Sequence, residues 1–197
     1  MRNEELQTLI PFLTQLVRAH RLLGDPEAGR PAAESILQHM DAASYLDGSC
    51  GPAMLELVRW MAAQDGEPQV EAAQACLTRL EALAAQIHPV DAAAMLAEAR
   101  GEIMAMSADA EGAASHFAEA AAAWADLGRP LPQARMLAQL GRVLARRGEQ
   151  ERAVAASAQA AELFEGLLDR LTDAGLRASF SGSELVGNLR GSDAQLG

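Results

Sequence analysis

Small residues recur along this chain at a fixed stride, and that stride constrains the fold more than any other feature of the sequence. A shift of forty residues lays Gly101 on Gly141, Ala113 on Ala153 and Ala120 on Ala160. The same shift lays Ile103 on Val143, Trp124 on Phe164, and Asp109 on Glu149 in the acidic first turn of a second helix. Each segment therefore reads as helix, short turn, helix. Packed helices lie about 8–10 Å apart, and the short end of that range needs glycine or alanine at the contact. Gly141 costs roughly 1 kcal/mol of helix propensity against alanine, and a close contact with Ala153 gives a reason for it. Leu137, Leu140, Leu144, Val154, Leu163 and Phe164 are the core expected around that contact.

The turn residues agree with this reading. Gly148 suits the left-handed conformation that ends a helix, and Gly128 followed by Pro130 and Pro132 gives a stop and a restart. Two earlier hairpins are more degenerate. Residues 52–64 and 67–86 pair through Leu55, Val58, Met61, Val70, Cys76, Leu77, Leu80 and Leu83 at helical spacing. Residues 4–23 and 31–43 make another, joined by the turn GDPEAGRP. Leu6, Leu9, Ile10, Leu13, Leu16 and Val17 mark the apolar face of its first helix, with Pro11 expected to kink it or delay its start. Half the residues are hydrophobic but only 4% are aromatic, so alanine and leucine dominate and an all-α fold follows. The expected architecture is a right-handed α-solenoid of about four antiparallel hairpins plus a closing helix near 172–189. It forms one domain over 1–191: degenerate hairpins in 1–90, the best repeats in 91–170, a closing segment in 171–191. A flexible tail is expected over 192–197.

Charge narrows the partners. The formal net charge is −11, which repels a phosphate backbone and an anionic membrane surface. Direct nucleic-acid binding and membrane association are therefore not expected. Every cation is arginine, since the chain has no lysine. That removes the phosphate-loop lysine and the Schiff-base lysine, each obligatory for its chemistry. Cys50 and Cys76 are too few for a disulfide framework or a zinc cage, and the four histidines show no ligand spacing. Neither a metal nor a cofactor is expected. Cys50 precedes a helix start and would be a candidate nucleophile, although nothing in the spacing supports that role over a turn at Asp47–Ser49. The opening MRNEELQTLIPFLTQLV does not read as a secretory signal, so a cytoplasmic setting is the expectation.

The segment around Leu140-Gly141, Gly148, Ala153, Ala160 and Leu163 resembles the tetratricopeptide repeat, matching its leucine–glycine pair, turn glycine, two alanines and late leucine. Leu137 and Leu144 stand where that family usually has tryptophan and tyrosine, and the stride exceeds the family's 34 residues. Longer units of this kind look like the helical sensor regions of bacterial ATP-dependent LuxR-type activators and of related cyclase-like signalling proteins. LTDAGLRASF, Leu171 to Phe180, is similar to the segment that closes such arrays.

The resemblance implies that the first helix of each hairpin lines a concave face where a partner peptide lies. Residue by residue, it places Arg135, Ala138, Arg142, Ala145 and Arg146 there in the last hairpin. The matching positions one repeat earlier are Met95, Glu98, Glu102, Ala105 and Met106, and Met54 and Met61 follow less securely. The expected groove has a basic end and an adaptable apolar middle. Alternatively, Glu98 and Glu102 pair with Arg142 and Arg146 and close it, with the methionines in the core. The function expected is a non-catalytic protein–protein interaction module of a bacterial signalling or transcription-regulatory assembly, with a protein or peptide partner. Homo-oligomerisation through an end hairpin stays open. Two other classes remain: a helical domain sensing a small effector, and an enzyme built on scattered carboxylates, which the missing lysine, phosphate loop and serine elbow disfavour.

Overall fold

The computed structural model describes residues 3–42 and 47–181, with side chains over 8–41 and 47–178. Among these residues the chain is all-helical. Its helices are α1 (Asn3–Leu22), α2 (Arg30–Ala42), α3 (Cys50–Ala62), α4 (Val70–Ile87), α5 (Ala92–Met106), α6 (Ala110–Asp126), α7 (Pro130–Arg146), α8 (Gln150–Arg170) and α9 (Ala174–Ser181). A 3-10 turn, Glu27–Gly29, leads into α2. A helix, α9, occupies Ala174–Ser181 of the span 172–189 expected to close the array; residues 182–189 and the expected tail lie outside the described residues. No described helix is long and apolar enough to cross a membrane.

Each helix packs on its neighbours in sequence, and α1, α3 and α5 also pack on one another in turn. The forty-residue stride reappears as burial: Ala113 and Ala153, Ala120 and Ala160, Ile103 and Val143, and Trp124 and Phe164 are all in the core. Both glycines of the stride sit at close helix contacts. A Cβ on Gly101 would lie 2.6 Å from Phe117 Cδ1, and one on Gly141 would lie 3.2 Å from the Ala153 carbonyl oxygen. Nothing larger than hydrogen fits against the Phe117 ring without displacing it.

The turns keep a stricter metre than the sequence alone showed. From His88 onward, positive φ occurs at His88 (46°), Ala108 (59°), Gly128 (64°) and Gly148 (78°), one residue in every twenty and each just past the end of a helix, while the earlier positive-φ residues Gly24 and Gly66 stand off that stride. Gly128 donates its N–H to Ala125 and Gly148 donates to Ala145, which ties off orphan carbonyls of α6 and α7. Asp109 caps α6 by accepting the Gly112 N–H at 2.9 Å, so it stands before the first turn rather than within it.

Some expected core positions are not core. Val154 is 46% exposed on the outer side of α8, and Leu16 is 39% exposed on α1, whose buried residues are Ile10, Thr14 and Val17. An amphipathic stripe is about 100° wide, and both residues fall at its edge. The side chain of Leu6 lies outside the described residues. Pro11 sits within α1, which runs on through it. Cys50 is the first residue of α3, not a residue ahead of it.

The left-handed positions yield a reciprocal test. Left-handed backbone costs an L-residue with a side chain about 1 kcal/mol relative to glycine. A Cβ on Gly148 meets nothing within 4 Å, so strain alone decides there. Ala108→Gly should raise, and Gly148→Ala should lower, the free energy of unfolding by about 1 kcal/mol in urea titrations.

Candidate functional site

The site begins with a helix that is apolar on nearly every side. In α3, CGPAMLELVRWMA, every residue from Cys50 to Met61 is buried except Pro52, because α1, α4 and α5 surround it. Two residues break the pattern, Glu56 and Arg59, one turn apart. A lone charge buried there would be strongly destabilising, so each must be paired and hydrogen-bonded.

They are. Glu56, wholly buried, accepts from Arg21 Nε at 2.7 Å, Arg59 Nη1 at 3.1 Å and Arg18 Nε at 3.4 Å. The Arg59 Nε turns the other way and donates to Glu98 Oε1 of α5 at 2.7 Å. Glu98, also wholly buried, accepts from Arg135 Nη2 of α7 at 3.3 Å and from the Trp124 indole of α6 at 3.1 Å. One chain of charge-assisted bonds thus links α1, α3, α5, α6 and α7. Burial alone would push the two carboxyls up, but the guanidiniums outweigh it and hold both below the ordinary glutamate range: Arg59, Arg21 and Arg18 at Glu56, Arg59 and Arg135 at Glu98. Burial likewise opposes the charge of Arg59, and its two carboxylates raise its pKa regardless. Arg135 has less compensation. Burial and the nearby Arg59 push it down to about 10 despite Glu98.

Above this network a cavity of about 530 Å³ opens between α1, α3, α5, α7 and α8. Five arginines line it, namely Arg21, Arg59, Arg135, Arg142 and Arg146, against the two acids Glu102 and Asp65. In a chain of net charge −11 this is a concentrated positive field. Its apolar wall includes Met106, Ala105, Ala138 and Phe164. A second cavity of about 280 Å³ lies on the other side of the network, sharing Arg21, Arg59 and Arg135 and adding Met95, Trp124 and Leu131.

Glu102 differs from its helix neighbour Glu98. It is 6% exposed, lines the cavity, and makes no hydrogen bond or ion pair among the described residues. Burial first, and the negative charge of Glu98 second, raise its pKa against the pull of Arg135, Arg59 and Arg21. Arg142 and Arg146 also form no ion pair among the described residues. Arg142 stands exposed at the margin, where the surrounding protein lowers its pKa while Glu102 raises it and Arg146 lowers it.

The structure therefore brings together Arg135, Arg142, Arg146, Glu102 and Met106 of the residues singled out from sequence. Glu98 lies beneath them as the anchor of Arg135. Met95 is buried and faces the second cavity, while Met54 and Met61 are core. Of the expected alternative, the methionine half holds for Met54, Met61 and Met95, whereas no ion pair joins Glu98 or Glu102 to Arg142 or Arg146 among the described residues: Glu98 is taken by Arg59 and Arg135. Sequence reasoning missed Glu56, Arg59, Arg21 and Arg18. The available signal was an acid and a base one turn apart inside an otherwise apolar helix.

The thiols do not look nucleophilic. Cys50 and Cys76 are both free and buried, and burial raises both pKa values, that of Cys76 to about 11. Among the described residues no three His, Cys, Asp or Glu side chains lie close enough to hold a metal ion. No protein-family model matches the chain, and no curated protein or solved structure matches it either.

Two consequences for stability follow. Glu98→Gln leaves Arg59 and Arg135 short of a buried counter-charge and should cost about 3–5 kcal/mol in chemical denaturation. The pH dependence has two opposing parts. The lowered carboxyls Glu56 and Glu98 contribute stability that is present above about 4.5 and lost as pH falls through their folded values. The raised carboxyl Glu102 does the reverse, subtracting stability as pH rises from about 4.5 through its folded value. Glu102→Gln should therefore raise the melting temperature more at neutral pH than at pH about 5.

Proposed function

We propose that this chain is a non-catalytic interaction module that receives a segment of a partner protein on the face lined by α1, α3, α5 and α7. The observation that carries the reading is the cavity on that face, in which Arg142 and Arg146 have no ion-pair partner among the described residues, above a buried network whose charges are paired. Exposed arginines elsewhere, such as Arg129, also form no ion pair among the described residues; Arg142 and Arg146 differ in lining a cavity beside a buried network whose own charges are paired. Two unpaired guanidiniums beside an apolar strip of Ala105, Met106 and Ala138 suit an incoming ligand, since guanidinium forks bind carboxylates and methionine adapts its shape.

The architecture behind the proposal is a right-handed α-solenoid of the tetratricopeptide kind. The twenty-residue metre of left-handed turns and the close contacts at Gly101 and Gly141 support it, as repeated units would. Stacked hairpins present their first helices along one curved wall, and α1, α3, α5 and α7 are those helices here. The likeness to bacterial regulator sensor regions favours a cytoplasmic signalling or transcription-regulatory assembly as the setting.

A second reading has its own support. A cavity of about 530 Å³ falls in the range of small-molecule sites, which favours an effector-sensing domain. Thermal shifts across a metabolite panel, set beside shifts with acidic peptides, separate the two, because at equal concentration the class that binds tighter stabilises more.

The test of the leading reading is charge reversal at the exposed arginines. Arg142→Glu with Arg146→Glu should abolish capture of the partner from extracts of the native cell, with the helical circular dichroism and melting temperature nearly unchanged. Undiminished capture by that variant would remove the proposal.

A further inference from the structure

Glu102 stands apart from the paired network beside it. It is more than nine-tenths buried, lines a cavity rich in arginine, and its side chain makes no hydrogen bond or ion pair among the described residues. The charged groups that face it are Glu98 on its own helix, Arg21 from α1, Arg59 from α3, and Arg135 and Arg142 from α7. Arg146 and Asp65 complete the charged lining of the cavity. An ionised Glu102 is an acceptor only and repels any anion that the arginines attract. A neutral Glu102 is a hydrogen-bond donor pointing at the same space.

We infer that the cavity binds a carboxylate with a short aliphatic body, held by the Arg142 and Arg146 guanidiniums, and that Glu102 takes up one proton as it binds and shares it with the ligand carboxylate. The inference rests on the reading of this face as a recognition site and names what it recognises. A guanidinium fork pairs with the oxygens of a carboxylate or a phosphate alike, and two features favour the carboxylate. Its proton affinity matches that of Glu102 in kind, so one proton bridges the two in a short O–H···O bond, as in paired carboxyls that cannot both ionise. A phosphate dianion adds a second negative charge beside Glu98 and Glu102. The apolar wall of Ala105, Met106, Ala138 and Phe164 fits the aliphatic part.

Proton balance is simple. Free protein with ionised Glu102, plus ligand carboxylate, plus one proton from solvent, gives a complex holding one shared proton; no bond other than that to the proton is made. Affinity therefore rises as pH falls, by up to about tenfold per pH unit, and levels off once Glu102 is already protonated in the free protein. Burial already disposes Glu102 toward the neutral form, so the range lies above the ordinary glutamate value of 4.5.

The experiment is titration calorimetry on the full chain between about pH 8 and 5. The probes are glutarate, a blocked glutamate-rich hexapeptide, and inorganic phosphate. Buffers of differing ionisation enthalpy count the protons taken up. The expected result is binding of glutarate or the peptide with uptake of close to one proton. Arg142→Gln with Arg146→Gln should weaken it at least about a hundredfold at every pH, as expected when two charge-assisted contacts are lost. Glu102→Gln should abolish the pH dependence while leaving tight binding at pH about 7.5, because the amide donates without titrating. Which probe binds distinguishes an acidic side chain from a free dicarboxylate, and either supports the inference. Binding without proton uptake, binding of phosphate alone, or no binding of any probe overturns it. In the last case the partner-segment reading still stands if Arg142→Glu with Arg146→Glu loses partner capture, so the two fail separately.

Discussion

The Arg59 guanidinium is the buried centre of the polar ties that hold the helices in register, where the other interhelical ion pairs, such as Arg79 with Asp41 and Arg100 with Glu81, lie nearer the surface. It donates to Glu56 on its own helix and to Glu98 on the next but one, and both carboxylates are wholly inaccessible to water. Burying such a group costs several kcal/mol of desolvation per ion, recovered only with close to ideal geometry and full satisfaction of each oxygen. Glu56 and Glu98 each accept from three donors and meet that condition. An apolar helix at this position would pack at similar or lower free energy. What the ions add is a demand for one alignment of α1, α3, α5 and α7, since a shift of any one leaves a charge without a partner.

The same alignment builds the cavity. Arg21, Arg59 and Arg135 are at once members of the network and part of the cavity wall, so the structural core and the proposed recognition surface share residues. Arg135 shows the tension most plainly: it has one carboxylate at 3.3 Å, several cations near it, and a pKa depressed to about 10. A positive field is thereby fixed in place before any ligand arrives, and preorganised charge of this kind is what makes polar recognition effective. Arg142 and Arg146, one turn apart at the end of α7, extend the field toward solvent without being tied into the core.

Much of the fold was legible because the forces that shape it act locally. Gly128 and Gly148 advertise left-handed turns, and the recurrence of Gly101 and Gly141 advertises close packing. His88 and Ala108 adopt the same conformation without advertising it, because neighbouring helices impose the turn and override the residue's preference. The face holding Arg135, Glu102 and Met106 could be placed by repeat register. The partners within it could not. That Glu98 would choose Arg59, from a helix 39 positions earlier, depends on how α3 sits against α5, and no pattern along the chain encodes that pairing. The all-buried character of α3 could have raised the question, since an acid and a base amid LELVRWM have to find partners somewhere.

Arrays of stacked helix pairs commonly come apart from their ends, because each unit touches only the next and the loss of one leaves the others little changed. The ionic chain running from Arg18 and Arg21 through Glu56, Arg59 and Glu98 to Arg135 removes that freedom from most of this molecule. Parting any two of α1, α3, α5 and α7 strands a bare ion in an oily interior, so these four helices melt together or not at all. Among the described helices α2, α4, α8 and α9 lie outside that chain and keep the option of loosening without breaking it.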